Sequence, residues 1–94
     1  MSKTRESAEI LGLKALAWLA GHDELCPVFL GATGASIEDL RSGAANPEYL
    51  GSVLDFLLQD DSWVMAFCDA EGFEYTEPYV ARQLLPGGAE VNWT

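Results

Sequence analysis

Signals that begin and end α-helices recur at short intervals along the whole chain. Short polar side chains, which can accept hydrogen bonds from the free N–H groups of a first helical turn, precede apolar stretches, and Gly or Pro follows them. No stretch alternates apolar and polar residues between hairpin turns, so the sequence predicts an all-α fold of about six helices. Their predicted starts lie near Thr4, in the segment 23–27, and near Ser36, Asn46, Asp60 and Thr76.

The length and composition of the chain fit one globular domain. The chain has 94 residues, of which 49% are hydrophobic and 21% are charged. A chain of this size can bury a core without a disulfide or a metal. We predict a compact single-domain bundle of five to six short helices over residues 1–94. Residues 1–4 are expected to be frayed, and residues 86–94 are expected to form a C-terminal tail.

Two of the predicted helices have a clear apolar face. In the fourth helix this face lies opposite Ser52, Asp55 and Gln59, as expected of a helix at the edge of a core. The fifth helix has a similar face. We expect the two faces to meet and to form the core together with the first helix. The faces consist of Tyr49, Leu50, Val53, Phe56 and Leu57 in the fourth helix and of Trp63, Ala66, Phe67 and Ala70 in the fifth.

The first helix is apolar on most sides. A helix with two apolar stripes either lies at the centre of the bundle or gives one stripe to a partner. The second stripe is the one predicted to contact a partner, through Leu11 and Trp18. The first stripe consists of Ile10, Leu13, Ala17 and Ala20, and the second consists of Leu11, Ala15 and Trp18.

The net charge of −10 narrows the range of partners. Fifteen Asp and Glu residues face five Lys and Arg residues, which are scattered singly. Neither nucleic acid nor an anionic membrane surface is therefore a favoured partner. The longest apolar run, residues 15–20, is too short to span a membrane, and the N-terminus has no secretory pattern, so we expect a cytoplasmic protein. The charge serves solubility or attracts a basic partner.

The chain has a single histidine, so every catalytic or metal-binding interpretation depends on His22. His22 and Cys26 would share a helix face if that stretch were helical, but a zinc site needs three or four ligands, and only Cys68 offers another thiolate. Alternatively, His22 lies in a turn and both cysteines are free, partly buried thiols. The Asp60-Asp61 pair is explained by helix capping. We therefore expect no enzymatic activity, no metal and no cofactor.

A large aromatic side chain lies in the predicted tail. After the Pro86-Gly87-Gly88 break, the chain continues to Trp93. Burial of a tryptophan side chain is worth roughly a few kcal/mol, which is enough to hold the tail in a groove on its own domain. In the alternative interpretation, Trp93 docks on a partner.

Four segments of the chain carry a resemblance to a known family. They are WLAG at 18–21, FLGATG at 29–34, VLDFL at 53–57 with the aspartates that follow it, and LPGG at 85–88 with the NWT ending. Through them the whole chain resembles a family of short acidic alphaproteobacterial proteins, the domain of unknown function numbered 3572. The resemblance implies a bacterial cytoplasmic protein whose Pro-Gly-Gly segment belongs to the domain. It implies no activity, cofactor or catalytic residue.

Together these features favour a non-enzymatic protein-protein interaction module. Leu11, Trp18 and Trp93 are the residues predicted to contact the partner, which is another protein or a second copy of the chain in a weak homodimer. The first alternative is an acidic charge mimic that occupies a basic or nucleic-acid-binding protein. The second alternative is a small metal or thiol site at His22 and Cys26.

Overall fold

The computed structural model describes residues 4–85, most of which lie in six α-helices. No strand occurs within this range, so the predicted all-α fold is confirmed. None of the helices in this range has the length and apolarity needed to cross a membrane. The predicted tail and residues 1–3 lie outside the described residues. The helices are α1 (Arg5–Ala20), α2 (Leu25–Thr33), α3 (Ile37–Gly43), α4 (Pro47–Leu57), α5 (Asp61–Glu71) and α6 (Glu77–Leu84).

Side-chain caps begin four of the six helices. The Thr4 hydroxyl accepts a hydrogen bond from the Ser7 N–H at 3.1 Å, and the Ser7 hydroxyl accepts one from the Thr4 N–H at 2.9 Å. This reciprocal pair is a capping box, and it satisfies two N–H groups at the start of α1. Asn46 caps α4 just ahead of Pro47, whose missing N–H costs nothing in the first turn.

The sixth helix begins without the cap expected from Thr76. Thr76 has helical backbone angles, and its side chain accepts no hydrogen bond from the first turn. Instead, a carboxylate oxygen of Glu77 accepts a hydrogen bond from the Glu74 N–H at 2.7 Å. The start of α6 was therefore predicted correctly, but the side chain that fixes it was not.

The first helix lies at the centre of the fold. α1 packs most extensively against α6 and α4, and less against α2 and α5. The first, fourth and fifth helices supply most of the buried core, as expected, and α6 is a further close neighbour of α1. α6 can lie close to α1 because its buried residues, Pro78 and Ala81, are compact. α1 and α4 are also close, since a Cβ atom at Gly12 would lie 3.0 Å from the Leu50 Cβ atom.

The predicted apolar face of α4 is confirmed, but the face of α5 is rotated. In α5, Phe67 is buried as predicted, together with Val64 and Cys68, whereas Ala66 and Ala70 are exposed. Larger apolar side chains gain more free energy from burial than alanine does, which accounts for the rotation. The buried residues of α4 include the predicted Leu50, Val53, Phe56 and Leu57.

An aromatic stack and an ion pair fix α5 and α6 on α4. The rings of Phe56 and Trp63 stack with their centroids 4.8 Å apart, so α4 and α5 meet as predicted. The Arg82 guanidinium of α6 donates to both carboxylate oxygens of Asp55 on α4, at 2.6 and 3.0 Å. A pair with two parallel hydrogen bonds has a fixed geometry, so it holds α6 in register with α4.

Candidate functional site

The two apolar stripes of α1 have opposite environments, and the arrangement is the reverse of the predicted one. Leu11 and Ala15 are buried, with 4% and 0% of their surface exposed, whereas Ile10 and Leu13 are 52% and 45% exposed. The expectation that Leu11 contacts a partner is therefore corrected, because this residue packs in its own core. We call Leu11, Ala15 and Trp18 the buried stripe, and Ile10, Leu13, Ala17 and Ala20 the exposed stripe.

The neighbours of each stripe explain the reversal. Ala8 lies one turn before Leu11 and Leu19 lies one turn after Ala15, and both are buried. Gly12 lies beside this stripe and lets α4 approach closely. The exposed stripe ends in Ala17 and Ala20, which have little apolar area, so the fold gains less from covering it.

The exposed stripe forms one wall of a surface groove, which we call the α1/α3 groove. Two adjoining cavities of about 340 and 320 Å³ make up the groove, and Leu13 and Ala44 line both. Ile37 and Leu40 of α3 form the opposite wall, and Pro47 lies at the end near the start of α4. The groove therefore runs along most of α1.

The rim of the groove carries opposite charges at its two ends. Glu6 and Glu9 lie at the end formed by the first half of α1, and Arg41 lies at the end formed by the second half. The Nε atom of Arg5 donates to a Glu9 carboxylate oxygen at 3.3 Å. Between these ends the walls are mainly aliphatic side chains, which offer apolar surface and supply no acid, base or nucleophile.

The position of α3 depends on a contact between a glycine and an aromatic ring. Any side chain at Gly43 would overlap the ring of Tyr49. This ring also packs edge-on against Phe29, with the centroids 6.3 Å apart. The Tyr49 Oη atom is buried and has no hydrogen-bond partner among residues 4–85. Burial, followed by the nearby Asp39 and Cys26, raises the pKa of Tyr49 above its ordinary value of 10.0.

The other two residues predicted to contact a partner lie away from the groove or outside the described range. Trp18 is half-buried, and its ring packs 5.8 Å from that of Phe67 and 4.9 Å from that of His22. These contacts are within the domain, so a partner contact through the exposed edge of Trp18 stays a prediction. Trp93 lies outside the described residues, and its role stays a prediction as well.

His22 caps α2 from outside its first turn. Its Nδ1 atom accepts a hydrogen bond from the Leu25 N–H at 3.1 Å, and its main-chain oxygen accepts one from the Cys26 N–H at 3.0 Å. Glu24, which occupies the capping position itself, makes no such side-chain bond. His22 therefore lies in the turn between α1 and α2, as one interpretation of the sequence predicted, and it stabilises the start of α2.

Both cysteines are free and buried. The Cys68 thiol donates a hydrogen bond to the Glu74 carbonyl at 3.4 Å. Burial, followed by the charges of Glu77 and Asp69, raises the pKa of this thiol above 9.0, which keeps it protonated and poorly nucleophilic at neutral pH. Within residues 4–85, no group of three or more His, Cys, Asp or Glu side chains is placed to hold a metal ion. The suggested site at His22 has no third ligand there.

Sequence reasoning missed the α3 wall of the groove. The third helix was predicted from its caps alone, and no role was given to its apolar residues. A signal was present, because Ile37, Leu40 and Ala44 follow the i, i+3, i+7 spacing of a helix face. What the spacing could not predict is that this face lies beside α1 and leaves Ile37 52% exposed.

A comparison with protein families places the chain in one of them. A family model described as a protein of unknown function (DUF3572) matches residues 5–88. The match includes all six helices and the Pro86-Gly87-Gly88 segment, but it ends before Trp93. No curated protein and no solved structure matches the chain. Because the matching model covers most of its length, the chain belongs to the DUF3572 family of proteins of unknown function.

Proposed function

We propose that this chain is a non-enzymatic protein-binding module whose α1/α3 groove holds an apolar helix of its partner. The observation that supports the proposal is the exposure of three large aliphatic side chains along one groove. Ile10, Leu13 and Ile37 are 52%, 45% and 52% exposed. Contiguous apolar surface on a small domain is a mark of interaction sites, because a monomer gains free energy by covering it.

The chemistry of the groove favours a helix over an extended segment. The walls are side chains of α1 and α3, whose backbone groups bond mostly within the helices, and the described residues contain no sheet edge. An extended peptide would lose its hydrogen bonds to water with nothing to replace them, whereas a helix satisfies its own backbone. Apolar side chains spaced at i, i+3 and i+7 fit a groove between helices.

The test is a selection from a display library of helical peptides, with the whole chain as bait. Leu13→Gln removes the central apolar side chain of the groove. Met65→Gln is the matched control, since Met65 lies outside the groove on α5 and is 43% exposed. We expect enriched peptides to bind wild type and M65Q equally and L13Q about tenfold more weakly. No enrichment, or enrichment that is indifferent to L13Q, contradicts the proposal.

Trp93 is proposed as a second contact to the partner. The selected peptides should bind the Trp93→Ala variant more weakly than wild type, because a tryptophan side chain contributes a large apolar area to an interface. Unchanged binding by this variant removes Trp93 from the proposal and leaves the groove as the binding site.

An acidic charge mimic is the second candidate function, and the distribution of charge supports it. Residues 42–81 hold eight of the fifteen acidic residues and no Lys, Arg or His. A basic protein attracted by this part of the chain would be released as salt rises, whereas apolar docking responds little to salt. Binding of an arginine-rich peptide, measured at low and high salt, separates the two candidates. A steep loss that L13Q does not affect favours the charge mimic.

A further inference from the structure

We infer that the helix held in the groove is α1 of a second copy of this chain, running antiparallel to the first α1. The inference rests on the function proposed above and names its partner. The exposed stripe has the pattern that the groove requires, because Ile10, Leu13, Ala17 and Ala20 lie at i, i+3, i+7 and i+10. In a two-fold pair each copy presents this stripe and receives the other, so both grooves are filled together.

The sizes of the side chains select the antiparallel direction. With a two-fold axis near the middle of the stripe, Ile10 of each copy faces Ala20 of the other, and Leu13 faces Ala17. Large side chains then pack against small ones, which fills space and lets the two helices approach. A parallel pair would place large side chains opposite large ones and would leave gaps between the alanines.

The charges at the rim select the same direction independently. Glu6 and Glu9 line one end of the groove, and Arg41 lines the other. In an antiparallel pair, the acidic end of each copy meets the Arg41 end of its partner, which gives two sets of opposite-charge contacts around an apolar centre. A parallel pair would bring like charges together at both ends.

The net charge limits the strength of this dimer. Each copy carries −10, and the two copies repel each other wherever their surfaces are closer than the screening length of about 8 Å at physiological salt. A modest apolar stripe acting against this repulsion gives a weak homodimer, with a dissociation constant on the order of micromolar.

Sedimentation equilibrium of the full chain over a range of concentrations tests the dimer. Wild type and M65Q should associate with equal strength, and L13Q should associate at least about tenfold more weakly, because one substitution removes two copies of the side chain from the interface. Circular dichroism checks that L13Q stays folded. A wild-type chain that is monomeric at all concentrations, or a dimer that L13Q leaves unchanged, overturns the inference.

A charge exchange tests the antiparallel arrangement itself. Arg41→Glu alone and the double variant Glu6→Arg, Glu9→Arg alone should each associate about threefold to tenfold more weakly than wild type. The weakening of each variant alone distinguishes the two directions, because in a parallel pair like charges would meet at both ends before and after either exchange. In the equimolar mixture, both ends of a mixed dimer again join opposite charges, so association should recover. Unchanged association of the E6R/E9R variant, or a mixture no stronger than either variant alone, overturns the antiparallel pair.

The two experiments separate failure of the inference from failure of the proposed function. A monomeric chain that still selects helical peptides in a Leu13-dependent way refutes the second copy as partner and leaves the binding module standing. A monomeric chain that selects no such peptides refutes both.

Discussion

The two faces of α1 have similar compositions and opposite environments. Both combine large apolar residues with alanine at helical spacing, yet one is covered by α4 and α6 and the other lies open beside α3. The difference arises from what the rest of the chain brings to each face. An apolar helix face therefore identifies a surface that gains from being covered, and only the tertiary packing decides whether the cover comes from the same chain.

The largest expected effect comes from a comparison of two leucine substitutions, one on each side of α1. Leu19→Ala should lower the free energy of unfolding by about 2–5 kcal/mol, because Leu19 is fully buried. Leu13→Ala should cost less than about 1 kcal/mol, because nearly half of this side chain is already in water. Urea unfolding followed by circular dichroism measures both. Equal losses would mean that the exposed stripe is covered within the monomer.

The next effect concerns the wall that faces the exposed stripe. Gly43→Ala should destabilise the fold by about 1–3 kcal/mol, because the added methyl group pushes the Tyr49 ring and loosens α3. Ser42→Ala, one residue earlier on an exposed site, is the control and should stay within about 0.5 kcal/mol of wild type. If G43A unfolds at the same urea concentration as S42A, the ring does not hold α3 in place.

A smaller effect is expected at the close contact between α1 and α4, which buries one face of α1. Gly12→Ala should destabilise by about 1 kcal/mol, since its methyl group meets the Leu50 Cβ atom at 3.0 Å and offsets the gain in helix propensity. Gly31→Ala in α2 has nothing within 4 Å and should stabilise by up to about 1 kcal/mol. Urea unfolding of the two variants should show changes in unfolding free energy of opposite sign. If both substitutions stabilise the protein, α4 has room to move away from residue 12.

The smallest effect at neutral pH is that of Tyr49→Phe. The buried hydroxyl has no partner among the described residues, so its removal should leave stability unchanged or raise it by up to about 1 kcal/mol.

The same variant carries a prediction about alkaline pH. The pKa of Tyr49 is raised above 10.0 in the folded protein by burial, so the unfolded chain ionises first, and wild-type stability falls as pH rises past that value. The raised pKa of Cys68 acts in the same direction from about pH 9. The slope of unfolding free energy against pH should be shallower in Y49F than in wild type. An unchanged slope means that Tyr49 does not cause the loss.

The parts of the fold that the sequence predicts are those governed by local chemistry. The starts of α1, α3, α4 and α5 follow from capping residues, and the apolar face of α4 follows from spacing within one helix. The rotation of α5 was missed because Ala66 and Ala70 have the right spacing but less area to bury than Val64 and Cys68. Spacing alone carries no information about area, so it could not rank the two faces.

The groove could not be predicted because it joins segments that are distant in sequence. Its walls come from residues 10–20 and 37–44, and no local pattern indicates that these two segments face each other across a groove. The choice between the two stripes of α1 depends on Gly12, whose missing side chain admits α4. From the sequence alone, a glycine within a helix indicates only a lower helix propensity. That Gly12 allows close packing is apparent only from the position of Leu50 in the folded structure.

The packing of α1 against α6 makes folding of this domain a late event in its synthesis. Residues 21–76 separate the two helices, and closing a loop of that length costs about 3–4 kcal/mol of chain entropy. Contacts between distant segments also slow folding relative to bundles of sequential hairpins. On the ribosome, the first five helices leave the tunnel before α6 does, so the buried stripe of α1 is not yet covered by α6. The nascent chain therefore stays accessible to chaperones and proteases until residue 84 has emerged.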